Sequence, residues 1–226
     1  MIVATLWRYP VKSMLGETCD AVELDARGVR GDRRFAVRDA EGKLGSGKNT
    51  RRMRHLEGLF TFQARYAGDV PELTFPDGRR LRGDDPGMHA ALSQALRQPV
   101  TLAGEQDISH FDASPIHLVT SASLGWLRAR LPGSRIDERR FRPNIVVTSD
   151  ASERTWIGKT LYIGTATLRV LQPTERCGMT TFAQADLPFD PKVLRCIAQE
   201  AREEFGVYAE VLRPGRIARG DAVTIE

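Results

Sequence analysis

The segment around Cys177 combines side chains that could do chemistry. Cys177 follows a predicted strand at residues 168–171 and stands between Arg176 and Gly178, which predicts a loop position. A neighbouring guanidinium favours the thiolate form of a cysteine, and the thiolate is both a nucleophile and a ligand for soft metals. From these residues alone, a functional thiolate and a small buried hydrophobe are equally good interpretations of Cys177.

A second segment places a cation and a hydroxyl next to each other near the start of the chain. Lys12 and Ser13 come just after the first predicted strand, at a turn that Pro10 makes rigid. Arginines also occur in clusters, at residues 33–34, 51–54, 79–80 and 139–142. Solvent-exposed charge is the ordinary explanation for such clusters, but a subset could converge on one small polyanion, which the planar guanidinium suits.

Several other chemistries are disfavoured by their motifs. Residues 42–49 resemble a phosphate-binding P-loop, but Asn49 stands where the magnesium-binding hydroxyl is required. The four histidines show no paired spacing of zinc ligands, and no Gly-x-Ser-x-Gly motif indicates a serine hydrolase. Aromatic residues make up only 7% of the chain, which argues against a nucleic-acid binder with stacking side chains.

Composition sets broad limits on the protein class. The 226 residues are 41% hydrophobic and 27% charged, with a net charge of +4 and three cysteines. A chain of this size predicts a folded core without disulfide staples, and the scattered cysteines favour a reducing, cytoplasmic location. No apolar run reaches the roughly 18–20 residues of a membrane span. Three cysteines are too few for an iron–sulfur cluster on this chain, which needs about four thiolates.

The pattern of elements predicts a β-rich α+β protein. Short candidate strands alternate with turns, at residues 2–7, 21–24, 35–38, 59–66, 207–212 and 223–225. Three helices are expected to begin at residues 85–86, 120–121 and 190–191, the last ending at Gly206. A shift in composition near Gly104 predicts a smaller N-terminal β domain over residues 1–103 and a second domain over residues 104–226, packed together.

Motifs along the whole chain resemble the MOSC family, the molybdenum cofactor sulfurase C-terminal domain proteins. The resemblance is to members that carry an MOSC N-terminal β-barrel domain, such as the YcbX-like proteins and the mitochondrial amidoxime-reducing component. The motifs that carry it, in family order, are at residues 9–13, 31–33, 141–144, 156–164, 175–181, 205–208 and 215–221. It implies an MOSC-type antiparallel β-barrel core with a few helices.

The resemblance also implies a cofactor, molybdenum held on a pyranopterin, with Cys177 as the protein's ligand to the metal. The residues at the family's cofactor-contacting positions are Lys12, Ser13, Arg33, Thr120, Ser121, Arg142 and Asn144. Lys12 and the two arginines would neutralise phosphate or pterin oxygens. Pyridoxal phosphate binding is associated with the family as well, although no lysine here has an evident Schiff-base context.

Two segments depart from the family pattern. Ser46 and Lys48 stand where the amidoxime reducers carry Thr-Ala-Arg. This keeps a hydroxyl and a cation but loses the arginine guanidinium, which can donate two parallel hydrogen bonds. Residues 182–188 replace an acidic loop that ends in glycine, and Asp186 is the candidate acid there.

The resemblance predicts an oxidoreductase that reduces N-hydroxylated small molecules. Cys177 and Asp186 are then the candidate catalytic residues, with Asp186 relaying protons. Electrons would come from a separate donor, a ferredoxin, a flavoprotein or a protein of the cytochrome b5 type. The alternative is a carrier of sulfur or of the molybdenum cofactor, with a persulfide on Cys177.

Overall fold

A computed structural model describes residues 1–226, and its largest element is an eight-stranded sheet. With strands numbered in chain order, its spatial order is β18 (Val223–Ile225), β14 (Thr160–Ile163), β15 (Ala166–Glu175), β16 (Glu204–Arg213), β12 (Ile116–Thr120), β13 (Ile145–Thr148), β1 (Ile2–Arg8) and β2 (Glu17–Cys19). All neighbours are antiparallel except β12 and β13, which pair in parallel. The sheet therefore joins the first strand of the chain to strands from its second half.

Three smaller sheets complete the β structure. One contains β10 (Arg80–Arg82), β9 (Val70–Thr74) and β8 (Gln63–Ala67), and another contains β11 (Val100–Gly104), β5 (Phe35–Asp39), β6 (Leu44–Ser46) and β7 (Met53–His55). The third contains β17 (Gly215–Ala218), β3 (Ala21–Asp25) and β4 (Gly28–Val29). The predicted β-rich α+β class is confirmed.

The large sheet does not close into a barrel. It ends in β18 on one side and β2 on the other, and each of these strands has only three residues. The segment before β18 joins β1 through an antiparallel bridge between Ile2 and Ala222 and through neighbouring backbone hydrogen bonds, such as that from the Val3 amide to the Asp221 carbonyl at 2.9 Å. The two end strands do not pair with each other.

The helices expected at residues 120–121 and 190–191 begin there, but the helix expected at residues 85–86 begins only at Met88. Asp85 does not cap it, because its side chain accepts a hydrogen bond from the Gly87 amide in the turn before the helix. The three helices are α1 (Met88–Leu96), α2 (Ser121–Arg130) and α3 (Pro191–Ala201).

The Asp190 side chain caps α3 by accepting a hydrogen bond from the Lys192 amide. The helix ends well before Gly206, because Arg202 and Glu203 both take left-handed backbone conformations (φ 54° and 65°) and turn the chain into β16.

Short 3₁₀ turns occupy four connections, at Leu59–Thr61, Glu138–Arg140, Glu153–Trp156 and Gly178–Thr181. The first corrects the predicted strand over residues 59–66. Gly58 reverses the chain at φ 80°, the turn follows, and the strand begins only at Gln63.

The buried apolar residues form three clusters that fix the relative positions of these elements. One lies between the large sheet and the sheet of β3, β4 and β17, one lies between α1 and the N-terminal sheets, and one joins α2 and α3 to the large sheet. No helix in the structure has the length and apolarity that crossing a membrane requires. The division at residues 103 and 104 stays a prediction, and β1 with β13 and β3 with β17 pair across it.

Candidate functional site

Six residues predicted from the sequence to bind a cofactor or metal meet in one narrow cleft of about 100 Å³. They are Lys12, Ser13, Arg33, Lys48, Arg142 and Cys177. The cleft continues into a wider groove of about 600 Å³, whose walls share Lys48, Asp112 and Tyr208 with it. Residues that are far apart in the sequence, such as Lys12 and Cys177, thus form one site.

Cys177 lies directly after β15, at the start of the 3₁₀ turn Gly178–Thr181. Its thiol is free and half-buried. The turn is fixed because the Cys177 carbonyl accepts hydrogen bonds from both the amide and the hydroxyl of Thr180, each at 3.1 Å. Next to it, the Arg176 guanidinium donates to the Phe141 carbonyl at 2.9 Å, which brings a cation to the same wall of the cleft.

Two arginines of the cleft pack against the ring of Tyr9. The guanidinium carbons of Arg142 and Arg33 lie 4.2 and 4.9 Å from the ring centroid, as in cation–π contacts. Arg142 is anchored by its Nη1 atom, which donates to the Met14 carbonyl at 2.6 Å. Burial, and then the neighbouring positive charge of Arg33, lower the pKa of Arg142 to about 10, which still leaves it protonated at neutral pH.

Lys12 is a deeply buried cation of the cleft, with 2% of its surface exposed. Its Nζ atom donates to the His110 carbonyl at 2.8 Å and to Asp112 Oδ1 at 3.0 Å. Burial lowers the pKa of Lys12 from 10.5 to about 8, and the attraction of Asp112 opposes that fall. The lysine is therefore held at a cost in solvation.

Three residues of the cleft have a backbone conformation that non-glycine residues rarely adopt. The φ angles of Ser13, Arg33 and Arg142 are 62°, 51° and 56°. Such left-handed residues carry strain and cluster at ligand sites, where the surrounding structure holds them. Here the Arg33 amide donates to the Tyr9 carbonyl at 2.7 Å, which fastens the turn that carries Arg33 to the segment that carries Lys12 and Ser13.

Two residues that line the cleft have buried donor atoms without a protein partner. They are Nη2 of Arg142 and Nε of Arg176. Buried polar groups are normally paired, so unpaired donors beside several cations indicate a ligand rich in acceptor atoms. A phosphorylated heterocycle bound to a soft metal matches this set, because the cleft supplies donors, positive charge and one thiolate.

Two other predicted site residues, Asn144 and Ser46, lie outside the cleft. Asn144 accepts from the His117 amide at 3.1 Å and donates to the Trp7 carbonyl at 3.4 Å, so it ties β12 to β1. Ser46 is buried on β6, and its hydroxyl has no partner. Neither residue lines the cleft.

Thr120 and Ser121 lie at the start of α2, as predicted, but their hydroxyls hold the fold together. Thr120 Oγ1 caps the helix and donates to the buried Glu153 carboxylate at 2.5 Å. Ser121 Oγ donates to the Ser149 carbonyl at 3.0 Å. The structure does not place these two residues with Lys12 and Cys177.

Asp186 is also outside the cleft, on an exposed turn. It pairs with Arg139 at 2.7 Å and with Arg135 at 2.5 Å. Hydrogen bonds from these two arginines lower the pKa of Asp186 to about 2. A carboxyl group with this pKa is ionised at neutral pH and so is a poor proton donor there.

Sequence reasoning missed His117, which also lines the cleft. Its ring is buried, with the ring centroid of Tyr208 at 5.8 Å. Burial, and then the charge of Arg176, lower the pKa of His117 well below 6.5, so the ring is neutral. Nothing in the spacing of the histidines could indicate this role, because it depends on how β12 packs against β16.

Comparison with known proteins agrees with this arrangement of fold and site. A family model described as the MOSC domain matches residues 105–224, and one described as the MOSC N-terminal beta barrel domain matches residues 1–110. The chain belongs to the MOSC family.

The relatives narrow this assignment. The mitochondrial amidoxime reducing component 2 of Macaca fascicularis is 27% identical over 98% of this chain and 82% of its own length. The mitochondrial amidoxime-reducing component 1 of Mus musculus is also 27% identical, over 98% and 81%. The family and these relatives support a function connected with the molybdenum cofactor.

Solved structures support the fold. The YuaD protein of Bacillus subtilis superimposes with a TM-score of 0.56 over 99% of this chain and 94% of its own, at 15% sequence identity. YiiM from Escherichia coli gives a TM-score of 0.50 over 100% and 70%, at 10% identity.

Proposed function

We propose that this protein binds a molybdenum–pyranopterin cofactor through Cys177 and reduces N-hydroxylated small molecules. The observation that carries the proposal is the cleft itself, where one free thiol shares the walls with six buried or half-buried cations, Lys12, Arg33, Lys48, Arg140, Arg142 and Arg176. The relatives bear the name amidoxime reducing component, and an amidoxime is an N-hydroxylated amidine.

The residues of the cleft would divide the work of holding the cofactor. Cys177 would bind the metal as a thiolate, which is a soft ligand. Lys12, Arg33 and Arg142 would neutralise the phosphate and the oxygen atoms of the pterin, since charge-assisted hydrogen bonds are the strong ones. Ser13 and Lys48 would add a hydroxyl and a more flexible cation at the edge.

The bound molybdenum would supply the two-electron chemistry that a protein side chain cannot perform. Reduction of an N-hydroxyl group consumes two electrons and two protons, and it releases water together with the reduced nitrogen compound. The electrons would come from a separate redox protein. The substrate would enter from the wider groove between Lys48, Asp112 and Tyr208, because that groove opens onto the cleft.

Metal analysis tests the proposal. The protein is purified from a host that makes the molybdenum cofactor, and molybdenum and released pterin are measured for the wild type, Cys177→Ser and Cys19→Ser. We expect nearly one metal per chain in the wild type and in Cys19→Ser, and its loss in Cys177→Ser. Cys19 is a matched control because it is also a free, half-buried thiol but does not line the cleft.

Activity follows in a second assay, with an aromatic amidoxime as substrate and a reduced viologen as artificial donor. We expect the amidine as product, with none from Cys177→Ser. A wild-type protein without molybdenum that carries cyanide-labile sulfur on Cys177 would contradict the enzyme and support a sulfur carrier.

A further inference from the structure

One cation of the wider groove belongs to the groove alone. Arg202 lines the groove but not the cleft, whereas Lys48 lines both. Gln172, Pro173 and Glu204 share this property with Arg202, and these four residues are called the outer part of the groove. Because Cys177 lies in the cleft, the outer part is the portion of the groove away from the proposed metal site.

The charges of the groove leave Arg202 without a counter-ion. Asp112 pairs with Lys12 at 3.0 Å, and Glu204 pairs with Arg154. Arg202 is exposed, and its guanidinium forms no ion pair and no hydrogen bond within the protein. The carboxylate of the outer part is therefore neutralised, and its guanidinium is free to bind a ligand.

Glu175 is the carboxylate of the groove that has no ion pair. It is exposed and lines the cleft as well as the groove, so it lies where the two cavities meet. A molecule that extends from the cleft along the groove would meet a carboxylate at its inner end and a guanidinium at its outer end. The amino group of an amidoxime can donate to the carboxylate, and an anion suits the guanidinium.

The backbone holds Arg202 in place at the edge of the groove. Arg202 and Glu203 have left-handed φ angles of 54° and 65°, which turn the chain from α3 into β16. The Arg176 amide donates to the Glu203 carbonyl at 2.7 Å. The turn that carries Arg202 is thus fastened to the residue that precedes Cys177.

We propose that Arg202 is a specificity-determining residue that binds an anionic group at the far end of the substrate. The planar guanidinium can donate two parallel hydrogen bonds to a carboxylate, and the amide of Gln172 can add a neutral donor. The inference rests on the proposed function. It narrows the substrates to N-hydroxylated compounds that carry a carboxylate remote from the N-hydroxyl group.

Steady-state reduction of paired amidoximes tests the proposal. The substrates are benzamidoximes with a para carboxylate, attached directly or through one or two methylene groups, and each is compared with its uncharged methyl ester. For the length that fits best, we expect kcat/KM of the carboxylate to exceed that of the ester about fivefold, as one charged contact at a partly exposed site supplies. The difference should lie in KM, because a contact remote from the reacting group is made equally before and in the transition state.

Three variants assign the preference to the side chain. In Arg202→Gln the ratio of carboxylate to ester should fall to about one, whereas Arg202→Lys should keep part of it, because lysine retains the charge but not the planar fork. Arg97→Gln is the matched control and should keep the wild-type ratio. Arg97 is also an exposed arginine directly after a helix, with a φ of 55°, but it does not line the groove. Higher ionic strength should weaken the wild-type preference.

Several results would overturn the proposal. They are equal kcat/KM for acid and ester at every length, an unchanged ratio in Arg202→Gln, and a preference for a para-trimethylammonio benzamidoxime, which would show that Glu175 dominates the groove. A lower melting temperature of Arg202→Gln alone, with KM raised equally for acid and ester, would indicate a structural role and would also count against the proposal.

Failure of the proposed function is distinguishable from failure of this inference. Reduction of acid and ester with equal efficiency retains the function and rejects the role of Arg202. If neither compound is reduced, the function fails, and calorimetry with the same compounds decides on Arg202. Tighter binding of the acid than of its ester, lost in Arg202→Gln and kept in Arg97→Gln, would retain the anion subsite, and equal binding would reject it.

Discussion

Replacing Lys12 by methionine should make the cofactor-free protein more stable at neutral pH. Burial lowers the pKa of Lys12 from 10.5 to about 8, a change that corresponds to roughly 3 kcal/mol against the charged form. Methionine has a similar length and no charge, but it leaves the His110 carbonyl without the donor that Lys12 provides at 2.8 Å. That loss costs about 1 kcal/mol. The expected gain in the free energy of unfolding is therefore about 2 kcal/mol at pH 7.

The gain should depend on pH in a direction that linkage fixes. Because the folded pKa of about 8 lies below the unfolded value near 10.5, the unfolded chain binds more protons than the folded chain between these values. The free energy of unfolding of the wild type therefore gains a contribution from Lys12 that rises with pH between about 8 and 10.5. The advantage of Lys12→Met should shrink across it and become a deficit of about 1 kcal/mol above pH 10.5.

Urea unfolding of both cofactor-free proteins at pH 7, 9 and 10.5 measures this difference. Other groups that titrate in this range are common to both chains, so the difference isolates Lys12. The reasoning is refuted if Lys12→Met is less stable than wild type at pH 7, since the pair with Asp112 would then outweigh desolvation. The same variant should bind the cofactor more weakly, which would show that the lysine is kept for binding at the expense of stability.

Three further predictions concern the backbone around the cleft and its edge. Ser13→Gly should change the free energy of unfolding by less than about 1 kcal/mol, because relief of the left-handed conformation at φ 62° offsets the freedom gained by the unfolded chain; urea unfolding measures it. Gly206→Ala should cost about 3 kcal/mol in the same assay, because a Cβ at φ 84° would lie 2.2 Å from His117 Nε2. Asp186→Asn should leave the pH profile of amidoxime reduction unchanged above pH 4, because Asp186 has a pKa of about 2 and lies outside the cleft.

Each of these three predictions can be contradicted independently of the others. Destabilisation of Ser13→Gly by 2 kcal/mol or more, estimated as the loss of about two buried hydrogen bonds, would show that the hydroxyl stabilises the fold. Wild-type stability in Gly206→Ala would mean that β12 and β16 can move apart at this point. If the pH profile of amidoxime reduction shifts at its acidic side in Asp186→Asn, the proton relay that the sequence predicted for this residue would be supported.

Local chemistry let the sequence predict where α2 and α3 begin, but not where α1 begins or where α3 ends. Thr120 and Asp190 cap α2 and α3 as expected, because a side-chain oxygen at this position satisfies free amides whatever the rest of the fold does. Gly206 was expected to end α3 and instead lies inside β16. The helix stops at Ala201 because β16 begins at Glu204 and pairs with β15, a long-range contact that the local pattern does not contain.

The site shows the same division between motif and packing. Lys12, Arg33, Arg142 and Cys177 were found through short motifs and lie together as expected. The place of Arg202 in the groove could not be found in this way, because it depends on where α3 ends and on how β16 pairs with β15.

The position of β1 has a consequence for the order in which the chain can fold during synthesis. β1 can pair early with β2, but its other ladder partner lies at residues 145–148, and the amide of Val3 donates to the carbonyl of Asp221 at 2.9 Å. One side of β1 must therefore wait for its partners until almost the whole chain has left the ribosome. Because Lys12 follows that strand and Cys177 comes late, the cleft can form only when nearly all of the chain is made, and the proposed cofactor would have to be inserted after that point.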